Sequence, residues 1–429
     1  MPSVTVPGAG GSTVTVPFDT SQNILLARQI AAAITNGVLD GSILPSLNST
    51  PPLGYHHRHD ETHDDSRHHS DSDDGDDDRS DSDDGDDDHS GHGHGGRTGH
   101  HVRPAGELVN TKNGLITLPS GYDNVVNIAS SAIIVGSGGT NQRILSGTGD
   151  LTFIATDGSG TIVTGGGDAN ITITRHDHGN WLIATGSGDD HINALGDGAD
   201  TIMAGTGKNT IQLGAGTYSV VSAGTDRIFA GAGAETITAS QSIYIDAGHS
   251  SLNFVNGSGA STVLGGTGSV TIDGGSGGGV FKGGTAGDNL MAAGTGAATL
   301  FGAGNGDLLI AQGSTAQLLH AGLGNETLNG AAATGGNVYD ASAGNTTILA
   351  GAGSDTFLFV KGNAGGRDLI IDFTSGPDKI ALSGYGSTEI TSAITGQTMS
   401  AGSVDLQLSD GTRIKLSGLG HAVTSTDFS

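Results

Sequence analysis

The sequence predicts an all-β fold, a parallel β-roll or β-helix solenoid with a short N-terminal capping helix and a C-terminal antiparallel β cap. Three observations predict it. Glycines 188, 198, 207, 216, 224 and 233 recur at intervals of 10, 9, 9, 8 and 9 residues. Ile192, Ile202, Ile211, Val220, Ile228 and Ile237 keep the same intervals, so a turn former and a β-branched residue share one period. The composition, 77 glycines and 4% aromatic residues in 429, suits a narrow stacked core and not a thick one. Self-similarity near nine residues marks arrays whose units bury their apolar residue only against their neighbours. A disordered glycine-rich tract would not keep β-branched residues in phase with glycine over six units. A globular sandwich needs longer alternating strands than these short runs.

Taken in chain order, residues 1–50 hold one helical pattern, at 20–36. Asp19, Thr20 and Ser21 offer a cap, Leu26, Ile30, Ala33 and Ile34 share one face, and Asn36-Gly37 is the stop signal. At the end of a solenoid such a helix is expected to cover the first coil and block edge-to-edge pairing. Arg28 is its only basic residue, which argues against a membrane-surface helix.

Residues 51–104 are different in kind. The stretch 56–101 carries 11 of the 17 histidines and 16 acids against 4 arginines, with the tandem copies SDSDDGDDDR and SDSDDGDDDH. Such charge density with no apolar residue cannot form a core, so a disordered linker is expected. It also reads as a weak, multivalent metal binder through His56, His57, His59, His63, His68, His69, His92 and His94. Its aspartates favour calcium and its imidazoles zinc or another transition metal. The glycine register and the missing twelfth-position glutamate exclude an EF-hand.

Residues 105–350 read as the solenoid, with the best repeats at 185–239. Downstream of these the apolar beats fall on Leu252, Val263, Ile272, Val280, Leu290, Leu300, Leu309, Leu319, Leu328, Val338, Ile348 and Phe357. The repeats resemble the RTX, or hemolysin-type calcium-binding, family, whose unit is GGxGxDx(apolar)x. The first glycine is replaced by Thr185, Leu195, Ala204 and Leu213, so the repeats are degenerate. The resemblance implies a parallel β-roll with two units per coil and calcium between neighbouring turns. It places ligands at Asp190, Asn209 and Asp226 on one edge and at Asp200 and Glu235 on the other, where Tyr218 interrupts. Glu326 and Asp355 hold the same position farther on. Glycine turns with inward carbonyls and one carboxylate each suit a hard cation that takes six to eight oxygens.

Residues 351–429 resemble the C-terminal region of type I secretion substrates. The resemblance rests on Asp355, Phe357 and Phe359, then Asp368, Ile370, Asp372, Phe373, Gly376, Asp378, Ile380 and Leu382. Asp410, Gly411 and Thr412 and the terminal Asp427 and Phe428 complete it. It implies a final repeat, a strand pair and a DGT hairpin, read by a dedicated exporter that passes the unfolded chain. Folding would then wait for calcium outside the cell, which places the protein as secreted, extracellular or surface-associated. The stretch MPSVTVPGAGGSTVTVPF lacks the basic-then-apolar pattern of a cleavable signal.

The formal charge of −27 argues against nucleic acid and anionic membranes as partners. No segment has the run of apolar residues a transmembrane span needs, and the absence of cysteine excludes a disulfide framework or thiolate metal site. No catalytic motif is legible. The GGSGG at 274–278 lacks the strand-turn-helix setting of a nucleophile elbow. The expected function is therefore non-enzymatic: a calcium-binding structural or adhesive protein of matrix, biofilm or surface layer, touching a cell-surface polysaccharide or copies of itself. Two other readings stand beside it. One is metal sequestration by the His/Asp-rich segment. The other is a carbohydrate-binding or enzymatic face built on His176, His178 and Trp181, with the histidines spaced to project together from a strand.

Overall fold

The computed structural model describes residues 1–19, 23–49, 104–287 and 289–429. The His/Asp-rich segment, with all the histidines proposed there as ligands, and Thr20 and Ser21 of the expected helix cap lie outside these residues.

The chain winds as a parallel β-solenoid in which successive strands alternate between two facing sheets. Among the described residues the second sheet has 15 strands and runs from Gly114–Thr117 to Lys379–Ser383. Register is set by the inward apolar residue. In the first sheet Ile183, Ile202, Val220 and Ile237 stack one over the next. In the second, Ile192, Ile211, Ile228 and Ile245 do the same. All eight are buried, and full burial of such a side chain contributes roughly 1.5–3 kcal/mol.

Glycine at the corners follows from how closely successive turns approach. A Cβ on Gly198 would lie 1.8 Å from the Gly179 carbonyl oxygen, and one on Gly205 would lie 1.7 Å from that of Gly186. The repeating glycine is thus a packing requirement of the stack as well as a turn former.

Downstream of residue 240, three expected beats are off by one residue. Val280 and Leu290 are exposed and Val338 faces outward, while Phe281, Met291 and Tyr339 point in. Each pair is adjacent, and a one-residue slip in a strand reverses its face.

The N-terminal region does not sit where a capping helix was expected. The helix spans Ile24–Asp40 and ends at Gly41, which takes the left-handed conformation at φ 77°. Gly37, read as the stop, lies within it and is covered by the Ile43 side chain, so the missing Cβ serves close approach. The helix and the hairpin Ser3–Pro7/Thr13–Pro17 pack on the outer side of the first sheet. Ala27, Ile30, Ile34, Val6 and Phe18 cover a stripe of Val109, Val126, Leu145, Val163 and Ala184 from five successive coils. The edge itself is formed by Ile43–Leu47, which pairs in parallel with Ala105–Asn110. The first sheet therefore begins at Ile43, ahead of the expected start at 105, and Pro45 in its outermost strand removes one edge donor.

At the far end, the two strands of the expected pair fall in different sheets. Arg367–Ile371 continues the first sheet against Asn345–Leu349, and Lys379–Ser383 continues the second against Thr356–Val360. The segment is the last coil of the rod, turned between its two strands at Asp372, φ 64°. The antiparallel cap comes after it. Ser403–Gln407 and Arg413–Ser417 form a hairpin, and the latter strand lies parallel to Arg367–Ile371. Its turn is the DGT element, in which the Thr412 amide and hydroxyl donate to Asp410 and Gly411 sits at φ 94°. The helix Glu389–Gly396 packs beside it, and Phe428 bridges back to Ile380.

Candidate functional site

The turn acids stack as the nine-residue period requires. Asp190, Asn209 and Asp226 fall in one column, just before the second-sheet strands. Asp200, Tyr218 and Glu235 fall in the other, on the first sheet. They do not project to solvent. All six are at most 2% exposed. Each column lies two residues before the inward apolar residue, so its side chains share the interior face at the corner of the coil.

Their first task is structural. At most of these corners the side-chain oxygen of one coil accepts a hydrogen bond from the backbone amide of the equivalent residue one coil earlier; Tyr218 and Glu235 do not take part. The Ala169 amide donates to Asp190 (2.8 Å), that of Asp190 to Asn209 (2.9 Å) and that of Asn209 to Asp226 (3.0 Å). On the other edge the Trp181 amide donates to Asp200 (2.8 Å). The ladder returns downstream: Asn289 donates to Asp307, Gln317 to Asn337, Asn337 to Asp355, Asp355 to Asp378, and Thr346 to Asp368. A buried amide without a partner costs about 1–3 kcal/mol, so aspartate or asparagine here is explained before any metal is considered.

What remains after that bond differs from corner to corner. Asp226 Oδ2 accepts from the Ser222 hydroxyl (2.6 Å), and Asp355 Oδ2 from the Gly351 amide (3.0 Å). Asp307 Oδ2 accepts from Ala303 and Gly304, and Asp378 Oδ2 from Thr374. Asn209 gives its amide hydrogens to Gly205 and Asp226. By contrast Asp190 Oδ2, Asp200 Oδ2, Glu326 Oε1, Asp368 Oδ2 and both oxygens of Glu235 are buried with no donor in hydrogen-bonding geometry, although the Thr185, Ser250 and Thr346 hydroxyls lie near enough to Asp190, Glu235 and Asp368 to offset part of the burial. Burial pushes Asp190 and Asp200 up to about 6, and Glu235, Glu326 and Asp368 up to about 7. A buried carboxylate holding an open oxygen needs a proton or a cation.

Asp190, Asp200 and Glu235 therefore keep more acceptor capacity for a hard cation than Asp226 and Asp355, whose two oxygens each already accept a hydrogen bond, or than the neutral amide of Asn209. Among the described residues no three His, Asp or Glu side chains converge. A cation at these corners would draw most of its ligands from backbone carbonyls, which calcium accepts.

The second edge is interrupted at Tyr218, but not by an empty space. Its phenol is buried, accepts the Gly214 amide, and lies 2.9 and 2.7 Å from the carbonyls of Ala194 and Gly196. The corners at Asn289, Asp307, Gln317, Asn337 and Asp368 were not read as ladder positions from sequence. The signal was present: each stands two residues before an inward apolar residue.

The His176/Trp181 face is not assembled. Trp181 is 2% exposed, packs on Phe153 and donates its indole N–H to Asp177 (3.1 Å). His176 and His178 sit in a turn between strands. His178 is hydrogen-bonded to Asp197 (2.6 Å), which holds its imidazole above the ordinary histidine range.

The secretion-region residues are structural parts of the last coil and cap. Phe357 stacks with Tyr339 and touches Phe373. Asp427 accepts the Thr424 amide in a capping box. Compared with family models and with curated proteins, the chain matches none.

Proposed function

We propose that this protein is a secreted, calcium-supported structural or adhesive rod that works outside the cell, in matrix, biofilm or surface layer. The observation that carries the reading is the set of open, buried carboxylate oxygens at Asp190, Asp200 and Glu235, in stacked glycine turns whose sequence resembles calcium-binding repeats. A cation that binds the native state and not the unfolded chain adds RT ln(1 + [L]/Kd) to stability, so millimolar calcium outside a cell would switch on folding after export. The resemblance of 351–429 to type I secretion substrates supports a dedicated exporter as a partner. The net charge of −27 favours cations, polysaccharide or calcium-bridged copies of the chain over anionic surfaces.

The test is a calcium titration of chelator-treated protein, followed by far-UV circular dichroism and hydrodynamic radius, with zinc in parallel. Gain of β signal with compaction in millimolar calcium, retained when 56–101 is deleted, is the expected result. A chain equally folded in chelator that responds only to zinc, and only with 56–101 present, would transfer the role to metal sequestration.

A further inference from the structure

Several turns that the repeat would reserve for a cation are filled by the chain itself. Asn256 is buried between two successive turns, and its Nδ2 donates to the carbonyls of Gly259 (3.0 Å), Gly274 (3.1 Å) and Gly278 (3.1 Å). The first belongs to its own turn and the other two to the turn one coil on. Its Oδ1 is fixed by the Ser261 hydroxyl at 2.7 Å, which sets the amide orientation. Gln317 repeats the arrangement a little farther along. Its Nε2 donates to Gly294 (2.9 Å), Gly296 (3.0 Å) and Gln312 (3.0 Å), while its Oε1 accepts the Gln312 amide.

On the opposite edge Asn289 donates to Gly284 (2.8 Å), Ala286 (3.0 Å) and the Asp307 carboxylate (2.7 Å). The Tyr218 hydroxyl faces Ala194 and Gly196 in the same manner. At Asn256, Gln317 and Tyr218 carbonyl oxygens of a neighbouring turn converge on one point, at Asn289 two carbonyls of its own turn meet a carboxylate of the next, and in each case an N–H or O–H hydrogen stands there. Such a group supplies the partial positive charge that converging carbonyl dipoles require, and unlike a cation it cannot be removed by dilution or chelation.

We infer that the turns holding Asn256, Gln317, Asn289 and Tyr218 are closed to cations and stay ordered without them, which confines any cation dependence of the rod to the corners with open carboxylate oxygens. The inference rests on the calcium reading only for what happens at those open corners. The two kinds are interspersed along the rod: the open Asp200 and Glu235 flank the closed Tyr218, the closed Asn256, Asn289 and Gln317 follow in succession, and the open Glu326 comes after them. Metal removal would then loosen the open corners, leave the closed stretch from Asn256 to Gln317 in place, and not unwind the rod from end to end.

The experiment is amide hydrogen exchange on the full chain, in chelator and in millimolar calcium, comparing wild type with Asn256→Asp and Gln317→Glu. Each substitution keeps an acceptor but replaces the donor by a carboxylate among carbonyls. In wild type, peptides over 256–278 and 294–317 are expected to be equally protected in both conditions. In the variants that protection is expected to be lost in chelator and regained in calcium.

Calcium-dependent protection of these peptides in wild type overturns the inference. So does a variant in which calcium makes no difference, whether protected or unprotected throughout. The wild-type peptides carry the test alone should a variant not fold. The calcium reading fails separately: it falls if peptides over 185–209 do not respond to calcium, whatever 256–278 does.

Discussion

Asp200 and Gln317 stand at corners on opposite edges of the coil, each two residues before an inward apolar residue, and solve opposite problems. At Asp200 the chain brings an acceptor with one oxygen open, so the corner is short of a donor. At Gln317 the chain brings a donor into three carbonyls, so the corner is complete. The difference teaches that a solenoid repeat is a backbone requirement first. The unpaired amide of the preceding coil must be accepted and the converging carbonyls must receive a hydrogen or a cation, and side-chain identity decides how. A worn repeat need not be a broken one.

The largest expected effect comes from reopening a complete corner. Gln317→Leu removes the donor to three buried carbonyls and the acceptor for Gln312, and should cost about 3 kcal/mol or more. The loss should be the same in chelator and in calcium. Thermal or urea denaturation in both conditions measures it, and a loss restored by calcium alone would erase the distinction between the two corner types.

Next is the comparison of two acids in the same structural role. Asp355 accepts the amides of Asn337 and Gly351 and has no open oxygen, so Asp355→Ala should cost about 2 kcal/mol with or without calcium. Asp200→Ala in chelator removes only the acceptor for Trp181 and relieves a buried carboxyl, so the expected cost is about 1 kcal/mol or less. Equal losses for the two in chelator would mean that the open oxygen carries no penalty.

Acidity sharpens the comparison further. Asp190 and Asp200 are held near 6, and Glu107, Glu235, Glu326 and Asp368 near 7, all by burial and all above their unfolded values. Between pH 4 and 7 the native state therefore binds more protons than the unfolded chain, and stability in chelator must fall as pH rises through that window. It should level off above about pH 7. Calcium needs the ionised carboxylates, so its increment should grow over the same interval. A melting temperature in chelator that rises from pH 5 to 8 would contradict the burial of these groups as acids.

How much of this was legible in the sequence depends on which residue carried the signal. The stack was readable at 185–239 because Gly188 to Gly233 and Ile192 to Ile237 keep step, and stacking of Asp190 over Asn209 over Asp226 follows from that period alone. Downstream the same reading took Val280, Leu290 and Val338 as inward, because two apolar residues stand side by side and periodicity cannot choose between neighbours. Packing chose the larger or more flexible side chains, Phe281, Met291 and Tyr339. The helix was legible, but not its seat. Its apolar face needed a partner, and the partner was the outward stripe Val109, Val126, Leu145, Val163 and Ala184, which looks from sequence like ordinary strand alternation. The corner amides were invisible for another reason: a metal-repeat reading looks for carboxylates, whereas Asn256 and Gln317 act through their nitrogen.

The smallest expected change in chelator is also the most discriminating. Asp200→Asn keeps the oxygen that accepts the Trp181 amide and turns the open oxygen into an N–H donor, making the corner resemble those at Asn289 and Gln317. Deleting a buried carboxyl costs nothing that the amide does not replace, so stability in chelator should change by less than about 1 kcal/mol, with a gain above pH 7 where Asp200 would be ionised. The same variant should lose its share of the calcium increment, and Asp190→Asn should behave alike, since Asp190 Oδ2 is open in the same way. Isothermal titration with calcium, beside denaturation in chelator, separates the outcomes. If both variants keep the wild-type calcium increment, the open oxygens are protonated structural acids, and calcium acts elsewhere on the chain. If each loses part of the increment while standing firm in chelator, one atom decides whether a corner of this rod belongs to the chain or to the ion.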